Sequence, residues 1–379
     1  MTSDRSSPVV NTDIAIVGTG SLGRSIAEAL ASTASALRVL VVGRDLAHAR
    51  EVATIARACA AAAARPEPCR FSAAAGDIGG VCLEVILGNA RPRVVVTCAS
   101  PHSPWESGQR PSHWTELIAE WGTALTVPLQ AQVAANVARC VRDASPSTLH
   151  VNACLPDLVN AILHALGLPV LCGVGNVQTL AAALQATLDA RAERETGRLR
   201  LLAHHLHLRE PDRALEARAW RGTEALDDVG ARLVAHRACG RRALNAVTGQ
   251  VAAGTLAALA TGAGLETHLP GPHGLPGGYP AIVEDRDVRL DLPAGVTLDD
   301  ALDDQRRWAA ADRIGSVEAG VVDLHAGAQG APCCVPEELL RFEARDLDTV
   351  AGAVTALRDR LRQGGASAAH GARGREVAA

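Results

Sequence analysis

The stretch Ile14-Ala-Ile-Val-Gly-Thr-Gly-Ser-Leu-Gly-Arg-Ser-Ile-Ala-Glu-Ala-Leu30 joins a short apolar run to three glycines and then to a helical pattern. Gly18 permits a tight turn, Gly20 lets the backbone approach a pyrophosphate, and Gly23 lets the following helix press against the strand. Context strengthens this spacing: an apolar strand precedes it, and Leu22, Ile26, Ala29 and Leu30 share one helical face after it. A second apolar run, Leu37-Arg-Val-Leu-Val-Val-Gly43, follows at the distance of the next strand. Residues 14–43 therefore read as the start of a dinucleotide-binding unit, with Gly18, Gly20, Ser21, Leu22 and Gly23 holding the pyrophosphate.

The end of the second strand selects the cofactor. Asp45 would accept hydrogen bonds from a free ribose 2′-hydroxyl, whereas Arg44 would lie against a 2′-phosphate that an acid opposes. The expectation is NADP(H), with NAD(H) the alternative.

A chain of 379 residues, 48% of them hydrophobic, is long enough for two domains or one enlarged one. Its net charge of -4 and its two Phe, one Tyr and five Trp argue against a nucleic-acid partner, which needs basic surface and stacking platforms. There is no lysine, so all 37 basic residues are arginine. Schiff-base chemistry, a lysine-bearing phosphate loop and a Tyr-Lys reductase pair are excluded, and histidine becomes the leading proton carrier. The ten cysteines form no Cys-x-x-Cys unit and read as reduced thiols, with Cys333-Cys334 as packing. The polar N-terminus lacks the apolar segment of a signal peptide, so the expected location is cytoplasmic. The uncharged run 243–261 contains Asn, Gln, Thr and Gly and reads as a buried helix rather than a membrane span.

Along the chain, residues 1–11 read as a flexible leader and 12–152 as a doubly wound parallel sheet with helices on both faces. Residues 44–64 read as a helix, 81–87 are ambiguous, and 93–98 form a buried β-branched strand. The Pro-, Ser- and Gly-rich segment 101–111 follows that strand's carboxyl end and suits a lid. Residues 114–141 read as helix interrupted at Pro128, 148–152 as a strand, 157–166 as a helix and 170–174 as a short strand. Residues 153–363 read as an α+β substrate or dimerisation domain: a strand over 199–208, mainly helix over 227–261, a Gly/Pro-rich junction over 269–280, a strand over 287–292 and a closing helix within 335–363. Residues 364–379 read as a disordered tail.

The order of parts resembles the lactate/malate dehydrogenase superfamily, which also includes NAD-dependent glycosidases. The resemblance rests on the glycine turn, the strand ending Thr97-Cys98-Ala99, the loop Gly-Gln-Arg110-Pro-Ser-His-Trp-Thr-Glu-Leu, and Asn152 and Asp157 after the next strand. It implies that Cys98 and Ala99 join the cofactor-binding residues, that Arg110 closes over substrate, that Asn152 contacts nicotinamide and substrate, and that Asp157 orients a catalytic histidine. Leu171-Cys-Gly-Val-Gly-Asn-Val-Gln-Thr179 and Leu201-Leu-Ala-His-His-Leu-His-Leu208 resemble the glycosidase branch, where a short strand presents that histidine. His205 takes this place, with His204 next. In an alternating strand, His205 and His207 share one face and His204 the other. Asp157 also suits the start of a helix, and Arg110 a solvated loop.

Departures from the family bear on substrate. Val177-Gln-Thr-Leu-Ala-Ala-Ala183 lacks the carboxylate-clamping arginine, and the earlier lid arginine is replaced by His102 or Trp105. The residue resembling the glycosidase metal-binding cysteine is Gly175, so no metal is expected, although Cys172, Asn176 and His205 keep that alternative open. The motif Gly271-Pro-His-Gly-Leu-Pro-Gly-Gly-Tyr-Pro280 would bring Tyr279 or His273 to the substrate, or serve only as a stiff turn. The sequence thus implies an NADP(H)- or NAD(H)-dependent oxidoreductase acting on the carbonyl or imine of a small polar metabolite. Further expectations are His205 and Asp157 in proton exchange, a homodimer or homotetramer, and no membrane partner. A glycosidase or lyase using transient oxidation, and a non-catalytic nucleotide sensor, are the alternatives.

Overall fold

The computed structural model describes residues 11–33, 36–78, 80–103, 106–190, 197–325 and 335–363. The leader, the tail, Trp105 and Cys333-Cys334 lie outside these residues, apart from position 11 of the leader. β1 (Ile14–Val17) is wholly buried and leads through the glycine turn into α1 (Ser21–Ala31), β2 (Arg38–Gly43), α2 (Leu46–Ala62), β3 (Arg70–Ala75), α3 (Val81–Ala90) and β4 (Val94–Thr97). The short α4 (Glu106–Gln109), then α5 (His113–Trp121) and α6 (Val127–Ala144), lead to β5 (Leu149–Asn152). α7 (Pro156–Ala165), β6 (Cys172–Gly173) and α8 (Asn176–Ala190) follow.

These six strands form one parallel sheet in the order β3-β2-β1-β4-β5-β6. Parallel neighbours require crossovers, and the helices supply them on both faces, so the central strands β1 and β4 are fully buried. The order reverses between β1 and β4, where such sheets open a ligand crevice at their carboxyl ends. Register aligns those ends: Val17 pairs with Val42 and Thr97, Thr97 with Asn152, and Asn152 with Gly173. Pro128 stands in the first turn of α6, where its missing N–H costs nothing, so it separates α5 from α6 rather than kinking one helix.

The second half contains three antiparallel three-stranded sheets. They are β7 (Leu199–Leu202), β8 (Arg218–Arg221) and β9 (Glu224–Ala225); β10 (Leu265–Pro270), β11 (Gly278–Glu284) and β12 (Asp287–Leu290); and β13 (Ser316–Glu318), β14 (Val321–Asp323) and β15 (Arg341–Glu343). Helices α9 (Val229–Arg237), α10 (Arg241–Thr261), α11 (Leu298–Asp312) and α12 (Leu347–Gln363) complete it.

Three expectations need correction. The 199–208 strand stops at Leu202, and His205–Leu208 form a 3-10 turn. Residues 269–280 are not a junction but the facing ends of the β10–β11 hairpin. The ambiguous segment at 81–87 is helix α3, and Arg70–Ala75 forms β3 although its Arg-Phe-Ser-Ala-Ala-Ala pattern carries no alternation signal.

The halves share cores. Ala252, Leu256 and Leu259 of α10 pack with Ile14, Ile16 and Ile26 of the sheet and α1. A Cβ on Gly249 would lie 2.6 Å from the Ser25 carbonyl oxygen, so only glycine lets α10 approach α1 this closely. α10 is long and apolar enough to cross a membrane, but its apolar face is buried in this core. Each fully buried leucine there contributes about 2 kcal/mol of transfer free energy. At the other end, Val350, Val354 and Leu357 of α12 pack against Leu129 and Ala131 of α6.

Candidate active site

The three glycines occupy distinct environments. Gly18 has φ +127° and would place a Cβ 2.6 Å from the Ala99 nitrogen, and a Cβ on Gly23 would lie 2.2 Å from the Gly18 carbonyl oxygen. Both close contacts hold β1, the end of β4 and α1 together. Around Gly20 no atom lies within 4 Å of the corresponding position, so this face of the turn is open. Gly20 caps α1 without a side-chain hydrogen bond, leaving the first-turn amides of Ser21, Leu22 and Gly23 for an anion. This open, uncapped turn fits a pyrophosphate. Cys98, beside it, is buried, and burial pushes its thiol upward.

At the end of β2, a Cβ on Gly43 would lie 2.7 Å from Thr19 Cγ2, so the strand position facing the glycine turn carries no acid. Asp45 caps α2 instead: its Oδ1 accepts hydrogen bonds from the amides of Ala47 at 2.6 Å and His48 at 3.3 Å. The His48 and Ala47 bonds hold its carboxyl below the usual range. Arg44 is exposed.

Asn152 departs from expectation. It is fully buried, and its amide donates to Cys154 O at 3.0 Å and Asn160 Oδ1 at 2.9 Å, while its Oδ1 accepts from the Cys154 amide at 3.0 Å. Asn160 in turn donates to Gly271 O at 2.9 Å. Asn152 thus ties the loop after β5 to α7 and the β10–β11 turn, and its side chain has no donor left for a nicotinamide or substrate.

The histidine site is built from four elements. Asp157, in the first turn of α7, accepts from the His205 backbone amide at 3.1 Å through Oδ1 and from the Asn176 side-chain amide through Oδ2. Asn176 opens α8, so His205 is held at the carboxyl ends of β5 and β6. The carboxylate that meets the imidazole is not Asp157 but Asp312, the last residue of α11: His205 Nδ1 lies 2.7 Å from Asp312 Oδ2. Burial raises the Asp312 pKa, but His205, His204 and Arg209 outweigh burial and hold it at about 2. An ionised carboxylate only accepts, so His205 Nδ1 donates, and Nε2 has no hydrogen-bond partner among the described residues.

The 3-10 turn explains why the alternation argument fails. His204 is buried at the turn's start, where its Nδ1 accepts from the Leu206 amide at 3.2 Å. His207 Nδ1 accepts from the His204 amide at 2.9 Å, and its Nε2 donates to Leu215 O at 2.8 Å. Its ring packs edge-on against Trp308 at 4.7 Å. Burial lowers both imidazoles, His207 to about 4. These two rings are buried and engaged with backbone groups, whereas His205 is part-exposed.

Arg110 is exposed at the end of α4 and makes no contact with His205, Asp157 or Asp312 among the described residues. Its loop is latched rather than free: Arg362 of α12 donates through Nε and Nη2 to the two Glu106 carboxylate oxygens, each at 2.6 Å. His102 Nδ1 lies 3.3 Å from Glu106 and 3.4 Å from the Trp114 indole nitrogen. Tyr279 is buried and donates to Pro276 O at 2.6 Å, and His273 donates to Val288 O at 2.7 Å, so the 271–280 motif serves as a turn. Cys172 is buried in β6 with its thiol pushed up to about 12, and among the described residues no three His, Cys, Asp or Glu converge on a metal position.

No protein-family model and no curated protein matches the chain. Solved structures do. A lactate dehydrogenase, MGS-M5, from a Medee basin deep-sea metagenome library superposes with TM-score 0.53 at 15% identity, covering 80% of this chain and 99% of its own. The fold is that of the lactate/malate dehydrogenases. Malate dehydrogenase from Plasmodium falciparum, in complex with NADH, gives TM-score 0.54 at 8% identity over 92% of this chain and 99% of its own. The Archaeoglobus fulgidus malate dehydrogenase, also with NADH, gives 0.51 at 17% identity over 78% and 96%. Within the lactate/malate dehydrogenase fold, the crevice at the β1–β4 switch point and the His205 site lie at the same edge of the sheet.

Proposed function

We propose that the chain is a pyridine-nucleotide-dependent oxidoreductase, using NADP(H), that interconverts a carbonyl or imine with the corresponding alcohol or amine on a small polar metabolite. The observation that carries this reading is the His205–Asp312 pair at the carboxyl ends of the sheet whose glycine turn is open and uncapped. Solved structures of the same fold hold NADH. The nicotinamide, when bound, supplies or accepts the hydride. In reduction, His205 Nε2 gives a proton to the substrate oxygen or nitrogen as negative charge develops there; in oxidation it takes that proton back. Asp312 fixes the ring and its tautomer throughout and stabilises the imidazolium. Asp157 places the His205 backbone.

Support for NADP(H) comes from the end of β2. Gly43 offers no carboxylate toward the glycine turn, Asp45 is engaged at α2, and Arg44 is exposed to meet a 2′-phosphate. Mixing the protein with NADPH or NADH and a panel of 2-oxo acids, amino-ketones and cyclic imines, while following nicotinamide absorbance, tests the reading. Turnover by the wild type that drops at least 100-fold in His205→Gln supports it; tight nucleotide binding with an undiminished rate in that variant refutes the proton role.

A further inference from the structure

α1 and α10 run side by side in the same direction. Asn245 Nδ2 donates to Ser21 Oγ at 3.1 Å, and one turn later in both helices a Cβ on Gly249 would lie 2.6 Å from the Ser25 carbonyl oxygen. A further turn on, Ala29 and Ala253 are buried in the same core. Matched four-residue rows of small side chains bring the two backbones close, and both amino-terminal ends point to the crevice, where β1 leads into α1. Neither helix has a side-chain cap or an acid in its first turn, so two uncapped positive ends lie at the rim of the glycine turn.

α10 is held there from its other side as well. Thr248 Oγ1 lies 3.3 Å from Thr179 Oγ1, and Gln178 Nε2 donates to Thr255 Oγ1 at 2.8 Å, both α8 residues. Asn245 thus reaches Ser21 from a fixed helix and not from a loop.

The bond between them has a direction. A side-chain amide nitrogen only donates, so Ser21 Oγ is the acceptor and its own proton is left to donate elsewhere. Ser21 is also the first residue of α1, and its backbone amide has no intrahelical partner. One residue therefore offers both an N–H and an O–H beside the space that Gly20 leaves open. A hydroxyl that accepts from an amide is polarised to donate, and donors to charged oxygens make the stronger hydrogen bonds.

We infer that Asn245 is a positioning residue for the dinucleotide: it commits the Ser21 hydroxyl as a donor to the pyrophosphate and makes α10, from the second half of the chain, part of the cofactor seat. This rests on the reading of the glycine turn as that seat and adds a residue remote from the glycine motif. Asn245 acts through Ser21, which separates it from a residue that merely docks α10 on α1.

Calorimetric titration of the full chain with NADP+ and with NAD+ tests this on the wild type, Ser21→Ala, Asn245→Leu and the double variant. Each single change should weaken nucleotide binding roughly five- to tenfold, and the double variant should bind like Ser21→Ala alone, because no hydroxyl remains for Asn245 to direct. Asn245→Asp, whose carboxylate accepts the Ser21 proton and draws it away from the phosphates, should weaken binding more than Asn245→Leu. Thermal midpoints without nucleotide should stay within about two degrees of the wild type, as for an exposed side-chain bond. The inference is overturned if Asn245→Leu binds like the wild type, if the two losses add in the double variant, if Asn245→Asp binds as tightly as Asn245→Leu, or if the Asn245→Leu midpoint falls further than that, which marks a docking role. If neither coenzyme binds the wild type, the oxidoreductase reading fails and takes this inference with it; a wild type that binds while the losses add removes this inference alone.

Discussion

Asp312 Oδ2 and His205 Nδ1 are 2.7 Å apart although 107 residues separate them in the chain, so α11 completes a site begun by the 3-10 turn after β7. With Nδ1 donating to an ionised carboxylate, one tautomer dominates and Nε2 is the nitrogen left free.

Replacing Asp312 by Asn removes the acceptor charge while keeping the shape. Turnover should fall by roughly 100- to 10,000-fold, as expected when a catalytic imidazole loses its orienting carboxylate. Nitrogen-edited NMR of the histidine rings distinguishes this from misfolding: the hydrogen-bonded Nδ1–H signal of His205 should disappear while those of the other rings persist.

The same carboxylate makes stability acid-sensitive. Its folded pKa, about 2, lies below the ordinary 3.8, so its contribution is fully present above about pH 4 and is lost as pH falls toward 2. The shift corresponds to roughly 2 kcal/mol. Denaturant unfolding between pH 2 and 6 should show the wild type losing this increment on acidification and Asp312→Asn lacking that component of the slope.

The glycine turn separates fold from function. Gly20→Ala adds a methyl group into open space at φ −70°, so the thermal midpoint should stay within a degree or two, while affinity for NADP+ falls at least tenfold because the backbone no longer approaches the phosphates. Gly23→Ala meets the Gly18 carbonyl oxygen and should cost about 2 kcal/mol of stability as well. Differential scanning calorimetry with and without nucleotide measures both.

Glu106 is nearly buried and held bidentately by Arg362. Arg362→Ala leaves that carboxylate with His102 alone at 3.3 Å, and a loss of about 2 kcal/mol is expected. Hydrogen exchange should accelerate across residues 99–112 and α12, with the sheet unaffected. Exchange unchanged in that loop would show that the latch does not restrain it.

Much of this architecture is legible in the chain because it rests on local signals. Three glycines after an apolar strand define β1–α1, and β-branched runs mark β2 and β4. The site is only half legible. Resemblance singles out His205 but not the acid beside it, since α11 offers five acids between Asp299 and Asp312 and their spacing alone does not name the one that reaches His205. A signal existed: Ala301, Gln305, Trp308 and Asp312 fall on one helical face, and an acid on a face that buries tryptophan needs a partner. The 199–208 strand misleads because leucines at 199 and 201 alternate as on a strand face while the bend at His204 is set by histidine-to-backbone bonds that composition does not reveal. Asn152 misleads for the opposite reason: its position matches, but its amide is consumed by Asn160 and Cys154.

A crystal structure of the protein with NADP+ bears most directly on the whole account. The pyrophosphate should lie on the amides of Ser21, Leu22 and Gly23, with the nicotinamide ring beside His205 and the His205–Asp312 bond intact. A nucleotide bound elsewhere, or a nicotinamide ring remote from His205 Nε2, would contradict it.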